Sequence, residues 1–334
     1  MKNNSTVCLF SGQSLTPFLP TFLILETVVG VMGNGLALWI FCFCLKPWKT
    51  STVFLFNLAL ADFLLLWALP FRISYYLRSK HWGFGDAFCR VNLFMLAMNR
   101  TGSIFFLTAV ALDRYFKVVH PHSRVNAITV SSAAWVACAL WVLAICLTAQ
   151  LLRNSHIYFF NNIVHCTSFA IPVEPSMDNT SWHNAVFLFE FALPLGIVLY
   201  CSFCVVWQLR VRKLDKQAKI KQAVRFIGVV VIMFIICFLP SKVTRVAIWI
   251  KRAVWNGCAG FQQLDNAFYV TVSFTYLNSV LDPVVYYFSS PTFRRIYKKV
   301  MGSVRRKEQE NVEGDEMSPQ GIRETTYSQS LDKL

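Results

Sequence analysis

The chain has 334 residues, of which 55% are hydrophobic and only 15% charged, whereas a soluble domain carries about a quarter charged residues. That deficit and a mean hydropathy of +0.47 exclude an ordinary water-soluble globule. The net charge of +15 would also suit a nucleic-acid binder. The Lys and Arg residues, however, lie in gaps between apolar runs and in the tail and form no basic aromatic face, so a membrane fits them better.

The first stretch, Met1 to Gln13, is polar, within an extracellular N-terminus expected over 1–16 that carries sequons at Asn3 and Asn4. It lacks the cationic apolar run of a cleavable leader, so the first membrane helix is expected to act as signal anchor. A span needs roughly 20 mainly apolar residues. Seven segments qualify, about 17–45, 51–78, 86–118, 129–152, 182–210, 220–250 and 262–289. The expected fold is an all-α membrane protein, a seven-transmembrane-helix bundle. Spans two, three and seven contain Asp62, Arg100 and Asp282, which should face the bundle interior. A short amphipathic eighth helix, 291–301, opens at Ser290-Pro291-Thr292 and should lie on the membrane surface. It closes the receptor domain, 17–301. Residues 302–334 are polar and mixed in charge and are expected to be disordered, with Thr325, Thr326, Ser328 and Ser330 as candidate phosphorylation sites.

Orientation follows from the loops. Lys46 and Lys49, then Lys117 and Arg124, then the run from Arg210 to Lys221, then Arg294, Arg295, Lys298 and Lys299 make one side basic. That side should be cytoplasmic, with the N-terminus outside in the plasma membrane. The sequons at Asn3, Asn4 and Asn179 fall on the outer side, whereas Asn99-Arg100-Thr101 lies within a span and is discounted. Of 11 cysteines, Cys8, Cys89, Cys166 and Cys258 fall in polar gaps on the oxidising side, as candidates for disulfides. The others sit in apolar runs, where a thiol packs as a small hydrophobe.

Landmarks now fall on particular spans: Gly33-Asn34 in the first and Leu58-Ala59-Leu60-Ala61-Asp62 in the second. Asp113-Arg114-Tyr115 ends the third, and Trp141 lies in the fourth. Pro194 lies in the fifth, Cys237-Phe238-Leu239-Pro240 in the sixth, and Asn278 with Asp282-Pro283-Val284-Val285-Tyr286 in the seventh. Each alone is weak, but in this order the set resembles the rhodopsin-like G-protein-coupled receptors. Asp113 is expected to hold Arg114 in a local ion pair, whose release lets the arginine meet a G protein. An interfacial salt bridge without a switching role is the alternative. Tyr115, Pro240, Asp282, Pro283 and Tyr286 belong to the same switch. Asp62, Asn34, Asn99, Ser103, Asn278 and Asp282 could form one buried polar cluster. In the family such a cluster often holds a sodium ion, the only cofactor-like ligand expected. Prolines in spans five, six and seven remove helical hydrogen bonds and supply pivots. Phe238 stands where the family usually has tryptophan, Asp282 where asparagine is commoner, and Ser202 where many members have tyrosine.

Arg100 lies fourteen positions before Arg114, about 21 Å along a helix, and so toward the outer half. A guanidinium there is costly unless paired or ligand-facing. An ion pair with Glu190 or Asp265 is one reading. The other is an anion site, since the planar fork matches a carboxylate. Arg72 and Arg245 are expected to share the cavity, with snorkelling to the interface as the alternative for Arg72. Arginines converging on one mouth repel each other unless an anion arrives.

The runs Gly35 to Phe43, Leu93 to Arg100, Asp113 to His122 and Ser273 to Pro291 are similar to the hydroxycarboxylic acid receptors. The resemblance implies that Arg100 anchors a ligand carboxylate, with Tyr276, Phe268, Thr167 and Ser168 at other pocket positions. It implies bridges Cys89–Cys166 and Cys8–Cys258, coupling to an inhibitory G protein that lowers cyclic AMP, and arrestin and kinases acting on the tail. The ligand expected is a small monocarboxylate such as lactate or a ketone-body-like acid. Cys89-Arg90-Val91-Asn92-Leu93 leans instead toward the oxoeicosanoid receptor and an oxidised fatty acid. A transporter would show paired broken helices and an internal repeat, and neither is visible. The six histidines lie in loops or at helix ends, which leaves no apparent catalytic or metal constellation, so no enzyme is expected.

Overall fold

The computed structural model describes residues 7–10, 14–160, 162–167, 171–172, 177–212, 218–255, 258 and 260–316. Within these, side chains are described except at 7, 172, 177–188, 209–210, 212, 218–221 and 304–316. Helix α1, Leu19–Trp39, continues into a π turn, Ile40–Cys44. It is followed by α2, Thr50–Leu77, α3, Asp86–Val119, and α4, Val130–Thr148, with one further turn, α5, Gln150–Arg153. Helix α6 is Met177–Arg212. The sixth span is built from α7, Ala218–Met233, a π turn, Phe234–Phe238, and α8, Leu239–Val254. Helices α9, Gln262–Ser289, and α10, Pro291–Glu316, complete the chain.

Six spans among the described residues are long and apolar enough to cross a membrane. Helix α9 matches them in length at 28 residues but is too polar to register by hydropathy alone. Its polar side chains, including Ser273, Thr275, Asn278, Ser279 and Asp282, are buried, so they face the bundle and not the lipid.

Helix α3 is the central element. In its most apolar window 72% of residues are buried, against 17% for α4. The buried residues of α4 are Ala133, Ala137, Ala144 and Thr148, small side chains that let helix backbones approach closely, while Trp135 and Val142 turn outward. Trp141 Nε1 donates to Asn57 Oδ1 at 2.8 Å and fixes α4 to α2. A Cβ on Gly33 would come within 2.6 Å of Pro283 Cγ, so the close approach of α1 to α9 requires glycine there.

One end of the bundle carries the expected disulfide-held lid, built from two short antiparallel strand pairs not foreseen from the sequence. Strand β2, Ile157–Phe160, pairs antiparallel with β3, Ile163–Cys166, and Asn162 turns the hairpin at φ 61°, a conformation asparagine tolerates. Strand β1, Val7–Cys8, pairs with β4, Ile171–Pro172. Disulfides join Cys89 to Cys166 and Cys8 to Cys258, with Cα separations of 5.8 and 5.5 Å.

Residues 290–334 form a separate compact unit. Its helix α10 continues to Glu316, well beyond the boundary at 301 expected from the loss of apolar periodicity. The candidate phosphorylation sites, together with Asn3, Asn4 and Ser168, lie outside the described residues. Asn179 falls in the main chain of α6, with its side chain outside the description.

Candidate functional site

Toward the disulfide end, Arg100 of α3 lies among other basic side chains. It lies within electrostatic reach of Lys242 and Arg245 on α8 and of Tyr276 on α9. Arg72 of α2 reaches the same Tyr276. Both acidic residues considered as partners for Arg100 have other engagements. Asp265 pairs with Lys80 at 2.9 Å, and Glu190 accepts a hydrogen bond from the Thr101 hydroxyl.

Arg72 is 5% exposed, which rules out snorkelling. It donates from Nη1 to the Cys166 carbonyl at 3.0 Å and lies over the rings of Tyr75 and Tyr76 at 5.1 and 6.0 Å. Arg72 therefore anchors the disulfide-bonded strand. Its Nε is without a hydrogen-bond partner among the described residues. Thr167 accepts from Tyr269 Oη at 3.0 Å. Phe268 packs into the apolar cluster of Cys8, Ile171, Ile248 and Phe261.

Three features of this end were missed in the sequence. Lys242 is 3% exposed, and a lone lysine between Pro240 and Arg245 carries no periodic signal. Glu26 on α1 is 3% exposed, with neither carboxyl oxygen hydrogen-bonded among the described residues, and it lies within electrostatic reach of Tyr276 and Cys237. The third is the pairing of Lys80 with Asp265. Ser79 and Lys80 occupy left-handed backbone conformations, φ 54° and 67°, which deliver the ammonium to 3.9 Å from the Tyr269 ring centroid. Burial pulls the Lys80 pKa down while Asp265 opposes the shift. Nearby, burial followed by the charges of Lys80 and His81 holds the His165 imidazole down to about 4.

Below the pocket lies the polar cluster. Asn99 Nδ2 donates to Asp62 Oδ1 at 3.1 Å, and Asn278 Nδ2 to Asp282 Oδ2 at 2.7 Å. Tyr286 Oη donates to Asn34 Oδ1 at 3.1 Å and to Asp62 Oδ2 at 3.3 Å. Asn34 Nδ2 in turn donates to the Ser279 carbonyl at 2.7 Å. Asp282 Oδ1, Asn99 Oδ1, Asn278 Oδ1 and Ser103 Oγ are buried without partners among the described residues. An acceptor-rich cluster with orphaned oxygens fits a hard monovalent cation.

At the opposite end the expected Asp113–Arg114 pair is not formed. Lys117 holds Asp113, with Nζ 2.6 and 2.8 Å from the two carboxylate oxygens, while Arg114 donates from Nη2 to the Ser289 carbonyl at 2.6 Å. Adjacent helical residues point to different faces, whereas those four apart share one, so Lys117 is the better-placed partner. The Arg114 guanidinium also lies 5.6 Å from the Phe226 ring centroid, and Tyr115 Oη pairs with His120 Nε2 at 3.1 Å. Pro240 lies two residues after the π turn of the sixth span, the kind of irregular turn common at functional positions.

Residues 33–286 match the model of the 7 transmembrane receptor (rhodopsin family). The chain is 50% identical to human hydroxycarboxylic acid receptor 3 over 88% of its own length and 75% of the relative's. It is likewise 50% identical to human hydroxycarboxylic acid receptor 1, over 89% of its own length and 84% of that receptor. Human oxoeicosanoid receptor 1 is 41% identical over 97% of this chain and 82% of its own. These relatives are receptors, not enzymes.

Proposed function

This chain belongs to the rhodopsin family of seven-transmembrane receptors, and on that premise we propose that it senses a small hydroxycarboxylic acid whose carboxylate pairs with Arg100. The grouping of Lys242 and Arg245 with Arg100, which shares Tyr276 with Arg72, carries the reading. A membrane-embedded cluster of like charges is stabilised by an organic anion. A small acid such as lactate is the simplest occupant. The disulfide end faces the cell exterior, where such bridges persist, and the ligand enters beneath the lid.

Binding draws α3, α8 and α9 together, and the shift passes through the polar cluster to Arg114, which leaves Ser289 and meets an inhibitory G protein. A sodium ion held by Asp62, Asn99, Ser103, Asn278 and Asp282 would offset one of the two carboxylate charges and favour the resting state. Kinases and arrestin act on the tail. The test is inhibition of cyclic AMP formation by lactate, other short hydroxy acids and oxo-fatty acids in cells expressing the full chain. A response to the short acids supports the reading, and a response to the lipids alone refutes it. The lipid reading draws on the 41% identity to the oxoeicosanoid receptor, which extends over 97% of the chain.

A further inference from the structure

We propose that the lid is split in two and that the ligand enters along the seam between strand β3 and helix α9, held shut by the Lys80–Asp265 ion pair. The proposal rests on the reading above for one point, that the ligand arrives at the disulfide end. One half of the lid is the β2–β3 hairpin. It is fixed to α3 by the Cys89–Cys166 disulfide and to α2 by Arg72 Nη1, which donates to the Cys166 carbonyl at 3.0 Å. Val164 of β3 is gripped twice by the turn between α2 and α3. Its N–H donates to His81 Nδ1 at 3.3 Å, and its carbonyl accepts from the Trp82 N–H at 2.7 Å. The other half is the β1–β4 pair. Cys8 of β1 is bonded to Cys258, in the segment that leads into α9. Cys8 and Ile171 pack with Ile248 of α8 and with Phe261 and Phe268 at the head of α9. Each half thus has its own disulfide and its own helices, and the chain passes from one to the other between Thr167 and Ile171.

The seam itself is closed by side chains. Lys80 Nζ lies 2.9 Å from Asp265 Oδ2, with 2% and 10% of the two side chains exposed. Tyr269, one turn further along α9, sets its ring centroid 3.9 Å from the same Nζ and donates from Oη to Thr167 Oγ1 at 3.0 Å. Its ring also meets that of Tyr76 of α2 edge-on, at 6.1 Å. Contacts of this kind yield before the disulfides and backbone hydrogen bonds within each half. In a buried ion pair, attraction and lost hydration nearly balance. Water that enters an opening seam rehydrates both ions, so the pair can part and re-form. Removing one partner instead strands the other charge and favours the open seam. Ser79 and Lys80 hold left-handed backbone, φ 54° and 67°, which persists where the surroundings fix it and here keeps the ammonium aimed at α9.

The test uses the purified full-length receptor in nanodiscs, carrying Tyr276→Cys as a reporter. Tyr276 is 5% exposed and shares a buried cluster with Cys166 and Tyr269. Labelling at position 276 by an anionic methanethiosulfonate is followed by mass spectrometry, with the buried Cys201 as an internal marker of general unfolding. Adding Asp265→Asn should speed labelling at 276 at least about tenfold, with Cys201 unchanged. Asp265→Glu should return the rate toward that of the reporter alone. His81→Ala, which loosens β3 from the α2–α3 turn and leaves the seam intact, should not speed it. Equal acceleration by His81→Ala means that the lid peels away as one piece and overturns the split. An unchanged rate in Asp265→Asn, or an acceleration matched at Cys201, overturns the latch. Labelling needs no ligand, so failure of lactate to bind would sink the carboxylate reading and leave the seam to be judged by these rates.

Discussion

Removing the carboxylate of Asp265 is the sharpest structural perturbation of the lid. Asp265→Asn leaves the Lys80 ammonium, with 2% of its side chain exposed, facing an amide 2.9 Å away in place of a charge. Breaking one side of a buried ion pair costs about 3–5 kcal/mol. The Tyr269 ring, 3.9 Å from Nζ, contacts the ammonium before and after the change, so the penalty of about 3–5 kcal/mol stands undiminished. The damage should localise, because Trp82, two residues from Lys80, donates its backbone N–H to the Val164 carbonyl at 2.7 Å. Strand β3 is thereby tied to the same turn. Thermal unfolding of the purified protein should show the loss, with faster hydrogen exchange at Val164 to Thr167. Lys80→Met combined with Asp265→Asn should recover at least about 1 kcal/mol relative to the sum of the single changes. Strict additivity, or a penalty below about 0.5 kcal/mol for Asp265→Asn, would mean that the pair behaves as an exposed one and would refute the reasoning.

Protonation of His165 should loosen the same lid. Its folded-state pKa of about 4 lies below the ordinary 6.5, so the unfolded chain takes up the proton first as pH falls. Stability is therefore complete above about pH 6.5 and declines toward pH 4, by up to about 3 kcal/mol. A thermal-midpoint profile over that range should flatten in His165→Phe. Because Lys117 and not Arg114 holds Asp113, Asp113→Asn should leave the Arg114–Ser289 contact in place and change basal signalling little, as a cyclic AMP assay would show. Tyr286→Phe removes the hydroxyl that joins Asn34 to Asp62. It should destabilise the resting receptor by about 1–2 kcal/mol, read as a lower melting temperature. Sodium should raise the melting temperature of the wild type, and Asp62→Asn should abolish that increment.

Hydropathy placed the spans within a few residues because a bilayer imposes one strong length rule, even for α9, where ordered landmarks outweighed polarity. The lid strands escaped notice for the opposite reason. Segments of two or four residues such as Val7–Cys8 and Ile157–Phe160 carry too short a pattern to read. Arg100 stood out because charge in a span is rare, yet the same rule applied to Lys242 and Glu26 only once burial separated them from residues near a helix end. The pairing of Lys80 with Asp265 depends on side-chain direction, which composition does not encode, whereas the four-residue spacing of Asp113 and Lys117 was visible and was passed over for the adjacent Arg114. The helix beyond 301 shows that loss of apolar periodicity marks the end of a buried face, not the end of a helix.

Binding of a short hydroxy acid to wild-type and Arg100-substituted receptor tests the central claim most directly. Arg100→Ala should weaken binding by at least about thirtyfold, the equivalent of about 2 kcal/mol for a truncated buried charge pair. Arg100→Lys should restore part of the affinity without the geometry of the fork. An affinity in Arg100→Ala equal to that of the wild type, in protein of unchanged melting temperature, would contradict the account.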